Sequence, residues 1–415
     1  MDPSLFQFAR NEARRSPRYT RCVGPGASEA TSFMGRPAPF ESRPESSVKL
    51  DLLRSFAVLL VVGFHLAKFF NWRMAAIRVT DFGLLGVMFF FVHTTLVLLF
   101  SLERQKAEAG GPLFFPFMAR RFFRIYPLAI LVVTFVYVFH VPSDLQFGSF
   151  HLLRQTPANF LANVLLIQNV TRQSANPGVL WSLPLELQMY QVLPALFGFS
   201  LRMKSWWMAL ALWCAVVALW LAAGTITAVL PLREAGIRSP WEALLKFTRF
   251  VPCFLPGVVA YKLWRRPGFL PAATWPAFLG LCCAAFLRIS SRQPVETGWF
   301  LCLAIGLGVG LFREMPANWL ARMAKRIARY SYGIYLLHYF AIWMAFVVCR
   351  TLNVGIQIAV FAGVLLCLSA ALYHVVEAPM IRAGIRLSRQ FRSSSQMAPV
   401  GIGGGERAAQ ALSVE

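Results

Sequence analysis

Apolar residues run along this chain in long, nearly unbroken blocks separated by short polar stretches. Water-facing strands and helices show alternation or a 3.6-residue stripe instead. Blocks long enough to cross a bilayer, for which about 20 residues are needed, fall near 50–70, 83–102, 125–142, 179–200, 206–225, 247–264, 269–287, 298–312, 330–349 and 355–376. Each predicts a membrane-spanning helix, so the expected fold is all-α, a polytopic integral membrane bundle of about ten spans.

A shorter apolar stretch at 158–170 is ambiguous by length alone. If it does not cross, the loops at 103–125, 201–205, 262–268 and 313–329 and the segment 380–392 fall on the side of the N-terminal tail, and that side holds most of the Lys and Arg. Making it a span inverts the basic bias of everything downstream. The positive-inside rule therefore predicts cytoplasmic termini, with 158–170 as a short re-entrant or interfacial helix covered by protein. Residues 1–47 are polar and rich in Arg, Pro and Ser, without the apolar core of a signal peptide, and 386–415 are rich in Ser and Gly. Both are expected to be disordered tails flanking a transmembrane domain at 48–385.

Composition sharpens this picture. Of 415 residues, 57% are hydrophobic and only 14% charged, with 41 Lys and Arg against 18 Asp and Glu for a net charge of +23. A basic nucleic-acid binder is rich in charge; this chain is charge-poor, aromatic-rich and has a mean hydropathy of +0.56. Its excess charge describes orientation in a membrane rather than an acidic partner. The eight cysteines mostly lie inside apolar blocks and form no C-x-x-C pair, so neither a disulfide framework nor a metal site is expected.

Polar residues inside the apolar blocks are the candidates for chemistry, because an ionisable side chain in hydrocarbon costs several kcal/mol unless it faces a partner or a cavity. Arg54 and His65 stand 11 residues apart, about 20° past three full helical turns, so both project from one face, separated by roughly 16 Å along the axis. Of the acids, Glu186 and Glu377 are the candidates for burial. Glu186 lies one turn into a helix that starts near Ser182, with Ser182 and Tyr190 on its face; the topology places that start at the outer surface, in the half of the body that holds His65. Ser331, Tyr335 and His338 make a polar stripe at i, i+4 and i+7 on an otherwise apolar helix. His93 has Thr94 and Thr95 beside it as local partners. Arg120, Arg121 and Arg124 cluster at a membrane entry, where guanidinium forks suit phosphate as well as lipid headgroups.

In order along the chain, Arg54-x10-His65, Gly86-Val-Met-Phe-Phe-Phe-Val92, Arg120-Arg121-x-x-Arg124-Ile-Tyr-Pro127, Trp181-Ser182-Leu183-x-x-Glu186-x-Gln188-x-Tyr190, Arg249-Phe250-x-Pro252, Ser331-Tyr-Gly-Ile-Tyr335-Leu-Leu-His338 and Glu377-x-Pro379 resemble the membrane acyltransferase-3 family over residues 48 to 385. Each motif alone is weak; the ordered set is specific. The resemblance implies a transferase, expected to stand alone, that moves an acetyl or other short acyl group from acyl-CoA to a hydroxyl of a sugar, lipid or small molecule. No permanently bound cofactor and no nucleic-acid partner are implied, and the implied location is the cell membrane, as in a bacterial inner membrane. Two departures bear on acceptor choice and cavity shape: the family's Phe-Phe-Val-x-Ser-Gly run ends here in His93-Thr94-Thr95, and its Glu-Glu pair is Glu186-Leu187.

Acyl transfer needs a base, a cation near the developing oxyanion and a grip on the donor. The roles then fall to His65 as base or transient acyl carrier, Glu186 as its orienting acid, and Arg54 as guide for the donor arm. Arg120, Arg121 and Arg124, with Tyr335 and His338, form the donor site, and one cavity is expected to cross much of the bilayer. A transporter or flippase is the alternative, with the same polar residues forming a substrate or proton path; the sequence shows no internal repeat to favour it.

Overall fold

Within hydrocarbon every backbone N–H and C=O must find its partner inside the protein, which makes the helix the default for each apolar block. The computed structural model describes residues 47–72, 80–109, 112–146, 148–153, 155–229, 247–289 and 293–396; of the tails predicted at 1–47 and 386–415, residues 1–46 and 397–415 lie outside them. Its helices are α1 (Val48–Phe69), α2 (Thr80–Ala109), α3 (Phe114–Val138), the eight-residue α4 (Pro157–Val164), α5 (Leu183–Arg202) and α6 (Trp206–Val229). They continue with α7 (Val251–Leu263), α8 (Trp275–Ile289), α9 (Pro294–Leu311), α10 (Trp319–Trp343), α11 (Val354–Leu372) and α12 (Ala378–Gln396). Among the described residues eight of these segments are long and apolar enough to cross a membrane, and α7 is a shorter apolar helix. The hydropathy of α5 is lowered by Glu186, Gln188 and Gln191. The chain is a helical membrane bundle, with each of the ten predicted blocks carried by a helix.

Several boundaries differ from the sequence reading. α3 begins at Phe114, so Arg120, Arg121 and Arg124 lie within a helix rather than in a loop at the membrane entry. Aromatic Phe114, Phe115 and Phe117 carry the apolar character of α3 past the arginines. A π-helical turn, Tyr373–Glu377, joins α11 to α12, and α12 runs to Gln396. The tail expected to be disordered from 386 is therefore helical to 396, packed along α3 with Ser388 fully buried.

α1 packs against α2 and α10. Its contact with α2 is close because Gly86 lacks a side chain; a Cβ there would stand 2.6 Å from the Ala57 carbonyl oxygen. Gly86→Val is expected to force the helices apart, with a loss of about 1–3 kcal/mol. A lowered thermal midpoint of the purified protein in detergent is the check.

On its other side, Arg54 Nε donates to Ser331 Oγ at 2.6 Å, while the His65 and His338 rings meet one end further along. The same order of contacts along both helices makes α1 and α10 parallel. Parallel packing requires an odd number of crossings between them, as the seven blocks predicted between 83 and 312 give when 158–170 does not cross.

The chain between α3 and α5 explains how. A two-stranded hairpin, β1 (Asp144–Gln146) and β2 (Ser149–His151), leads into α4, whose Thr156 cap accepts from Asn159 N. The Tyr126 hydroxyl then donates to the Leu165 carbonyl. Tyr126 lies 12 residues, about 18 Å, before the end of α3, so the segment after α4 has turned back into the bundle. Irregular backbone at that depth needs internal partners. Asn159 and Asn163 amides both donate to the Ser174 carbonyl, Asn163 Oδ1 accepts from Asn176 N, and Gln168 donates to the Leu180 carbonyl. A 3-10 turn, Gly178–Ser182, then starts α5 inside the bundle, not at the outer surface as the sequence reading had it. That start carries Glu186 inward.

Burial of acids also goes beyond the two expected. Glu296, its side chain 13% exposed, holds Arg249 through paired bonds of 2.8 and 2.9 Å. The Arg249 carbonyl in turn accepts from the Trp299 indole, tying the entrance of α7 to α9.

Candidate active site

Five helices converge on a cavity of ≈ 100 Å³ whose lining is charged at one level and aromatic at the next. Arg54 from α1, His93 and Thr94 from α2, Arg121 and Arg124 from α3, Glu186 and Tyr190 from α5, and Ser331, Tyr332 and Tyr335 from α10 line it. Arg54 does not snorkel; its Nε is spent on Ser331. Glu186 Oε1 accepts from Thr94 Oγ1 at 3.1 Å and, more closely, from the Tyr190 hydroxyl one turn away on the same helix. Thr94 thus serves the carboxylate rather than His93. Arg124 stands 3.7 Å from Glu377, whose side chain is wholly buried and whose oxygens accept no hydrogen bond. Arg121 Nε is buried with no hydrogen-bond partner, its guanidinium over the Phe117 ring. Three arginines therefore face one lining acid, with Glu377 beside Arg124. A buried donor without an acceptor is a place where an anion gains most.

The second part of the site lies one turn further along α10. His338 is completely buried and its Nδ1 sits 2.7 Å from the Tyr335 carbonyl oxygen. A carbonyl only accepts, so that nitrogen carries the proton and Nε2 presents a lone pair. His65 Nδ1 is 3.0 Å from this lone pair and 2.9 Å from the Val61 carbonyl oxygen. Both neighbours are acceptors, so His65 Nδ1 is also a donor. The contacts thereby fix both tautomers and leave the Nε2 lone pair of His65 outside the chain of bonds. The ring is partly exposed, held between Phe64, His338 and Tyr339, with Tyr339 edge-on at 4.7 Å. Phe150 of the hairpin packs in turn on Tyr339 and Phe69.

The residues singled out in the sequence thus separate into two groups. Arg54, Arg121, Arg124, Glu186 and Tyr335 share the cavity; His65 and His338 form the pair. Glu186 is not the partner of His65, because α5 starts inside the bundle and delivers it to the arginines; His338 holds that place instead. Arg120 points elsewhere, donating to Ser388 of α12 at 2.8 Å. Arg120 and Arg121 stand 100° apart on α3 with Arg124 between them, so Arg120 faces α12 and Arg121 the cavity, while Arg124 reaches both the cavity and Glu377. The single continuous cavity expected from Arg54 to His65 is also corrected: its lining ends at Tyr335. Tyr332 was not foreseen; it lines the cavity and its hydroxyl donates to the Ile125 carbonyl beside Pro127.

Comparison with known proteins bears on these helices directly. Residues 47–374 match the acyltransferase domain of the acyltransferase-3 family. The chain is 28% identical over 326 residues, 69% of its own length and 81% of the relative's, to nodulation protein 10 of Rhizobium leguminosarum bv. viciae. No solved structure matches it significantly. The matched span holds every helix that carries the arginine cavity and the histidine pair, and the chain belongs to the acyltransferase-3 family, as a multi-pass membrane acyltransferase.

Proposed function

We propose that this acyltransferase moves an acetyl or other short acyl group from acyl-CoA to a hydroxyl of a sugar, glycolipid or small-molecule acceptor, in a bacterial inner membrane with both termini in the cytoplasm. The observation that carries the reading is the histidine pair, which presents one uncommitted imidazole nitrogen in a fixed tautomer. In the step it serves, the acceptor oxygen attacks the thioester carbonyl while His65 Nε2 takes the hydroxyl proton. The C–S bond then breaks, the C–O ester forms, and the thiolate leaves and collects a proton. His338 holds the imidazole and shares the charge that His65 gains.

The arginine cavity supports the donor half. Arg121 and Arg124 hold the phosphates of coenzyme A, Arg54 guides the arm, and Glu186 balances the cluster. Arg54 and His65 are roughly 16 Å apart on one face, a gap that the extended pantetheine arm of a thioester spans past Tyr335.

Purified protein in lipid nanodiscs, given radiolabelled acetyl-CoA and extracts of envelope glycans and lipids, is expected to release free thiol. The label is expected to enter an alkali-labile ester. With the same protein in sealed vesicles, label that crosses the bilayer with no covalent product and no thiol release would instead identify a transporter.

A further inference from the structure

A second cavity of ≈ 300 Å³ lies between α3, α10, α11 and the chain around Pro142 and Pro177. We propose that it holds the hydrocarbon tail of a membrane-resident acceptor, so that the hydroxyl to be acylated reaches His65 from the bilayer. This rests on the acyl-transfer reading above and names the class of acceptor within it: an amphipathic molecule with an acyl or isoprenoid chain and a hydroxylated headgroup.

Position, chemistry and access converge on that occupant. Val136, Leu336, Leu368 and Tyr339 are among its walls, and of its two hydroxyl-bearing residues Ser143 already donates to Asn176. A space with such walls does not hold water; hydrocarbon fills it and recovers the dispersion contacts that a void forfeits. Its α3 wall includes Leu131 and Phe135, 41% and 39% exposed in a membrane-spanning helix. The cavity is therefore reached from the lipid side, whereas a water-soluble phosphorylated donor is drawn to the arginines.

The two cavities meet the histidine pair through successive turns of α10. Tyr335 lines the charged cavity and Tyr339 the apolar one, and their rings stand 6.1 and 5.1 Å from the His338 ring. Tyr339 also touches His65 directly. A chain seated against Tyr339 brings its headgroup to the exposed side of His65, opposite the route of the thioester. Separate entries for donor and acceptor follow from the placement of two tyrosines four residues apart.

The test uses the full chain in nanodiscs with radiolabelled acetyl-CoA and three acceptor probes: methyl, octyl and dodecyl glucoside. A dodecyl glucoside carrying a diazirine on its chain reports where the tail sits. Expected are a kcat/KM for dodecyl glucoside about tenfold or more above that for methyl glucoside, and photolabel on α3, α10 and α11 around the cavity. Val136→Trp and Leu368→Trp, which fill the space from two different helices, are each expected to erase the chain-length advantage and the label while leaving the methyl glucoside rate unchanged. His65→Ala is expected to keep the label. Acyl transfer independent of chain length, or labelling that survives both tryptophans, overturns this inference and leaves the acyl-transfer reading standing. Cavity labelling that both tryptophans remove, in a protein that consumes no thioester, overturns the acyl-transfer reading and leaves a lipid-tail site.

Discussion

Alanine at position 65 is expected to lower kcat for acyl transfer by about 10²–10⁴-fold, the range over which a positioned general base acts, while the protein inserts normally and its donor KM changes little. The expectation follows from where the proton goes. His65 Nδ1 is committed to Val61 and His338, so only Nε2 is available, and alanine removes it without touching the arginine cavity. His338→Gln is the companion measurement. It keeps a polar side chain at the position but not the aligned imidazole lone pair. A smaller loss of kcat and a displaced acidic limb of the pH–rate profile are expected, because the charged form of His65 is then supported by different neighbours. Activity falls on the acidic side in the parent protein, since a protonated Nε2 cannot act as base. Thiol release from acetyl-CoA, followed across pH for both variants and the parent, decides the matter. An unchanged rate in His65→Ala would remove His65 from the reaction, and an unchanged pH profile in His338→Gln would reduce His338 to a packing residue.

How far the sequence anticipates this site depends on whether a feature is local to one helix. The common face of Arg54 and His65 follows from 11 residues at 100° each, and both do meet the polar stripe of α10. Helix existence follows equally from the apolar blocks, because a membrane leaves the backbone no other way to satisfy itself. Depth is another matter. Counting spans places Glu186 beside His65, but the chain before α5 folds back along α3, far enough for the Tyr126 hydroxyl to reach the Leu165 carbonyl, before the helix begins. That descent is written in Asn159, Asn163 and Gln168, whose side-chain amides satisfy the irregular backbone, that of Asn176 included; in the sequence they read as an ordinary polar loop. The partnership of His65 with His338 had a visible signal in the matched polar pairs of α1 and α10. Choosing it over Glu186 required knowing that these helices are parallel neighbours.

Arg121→Met is expected to lower kcat/KM for acetyl-CoA by about 10–100-fold, from loss of charge-assisted hydrogen bonds of about 1.5–3 kcal/mol, and to leave kcat/KM for S-acetylpantetheine, which has no phosphate, unchanged. The contrast comes from Arg121 Nε, buried against Phe117 with no acceptor of its own. Methionine matches the aliphatic stem and still packs on the ring, so the loss reports the missing guanidinium rather than a hole. The neighbouring arginines supply the controls because the structure gives them different partners. Arg120 donates to Ser388, so Arg120→Met is expected to weaken the hold of α12 on α3 and lower the thermal midpoint with little effect on donor KM. Arg124 neutralises the fully buried Glu377, so Arg124→Met strands a carboxylate and is expected to cost stability first, as breaking a buried pair does. The paired Arg124→Met/Glu377→Gln protein removes both charges, and its expected recovery of stability without recovery of acetyl-CoA affinity separates the structural pairing from the grip on the donor. If all three single variants raised donor KM equally and spared the midpoint, the arginines would be an undivided surface patch and the cavity would not be the donor's entrance.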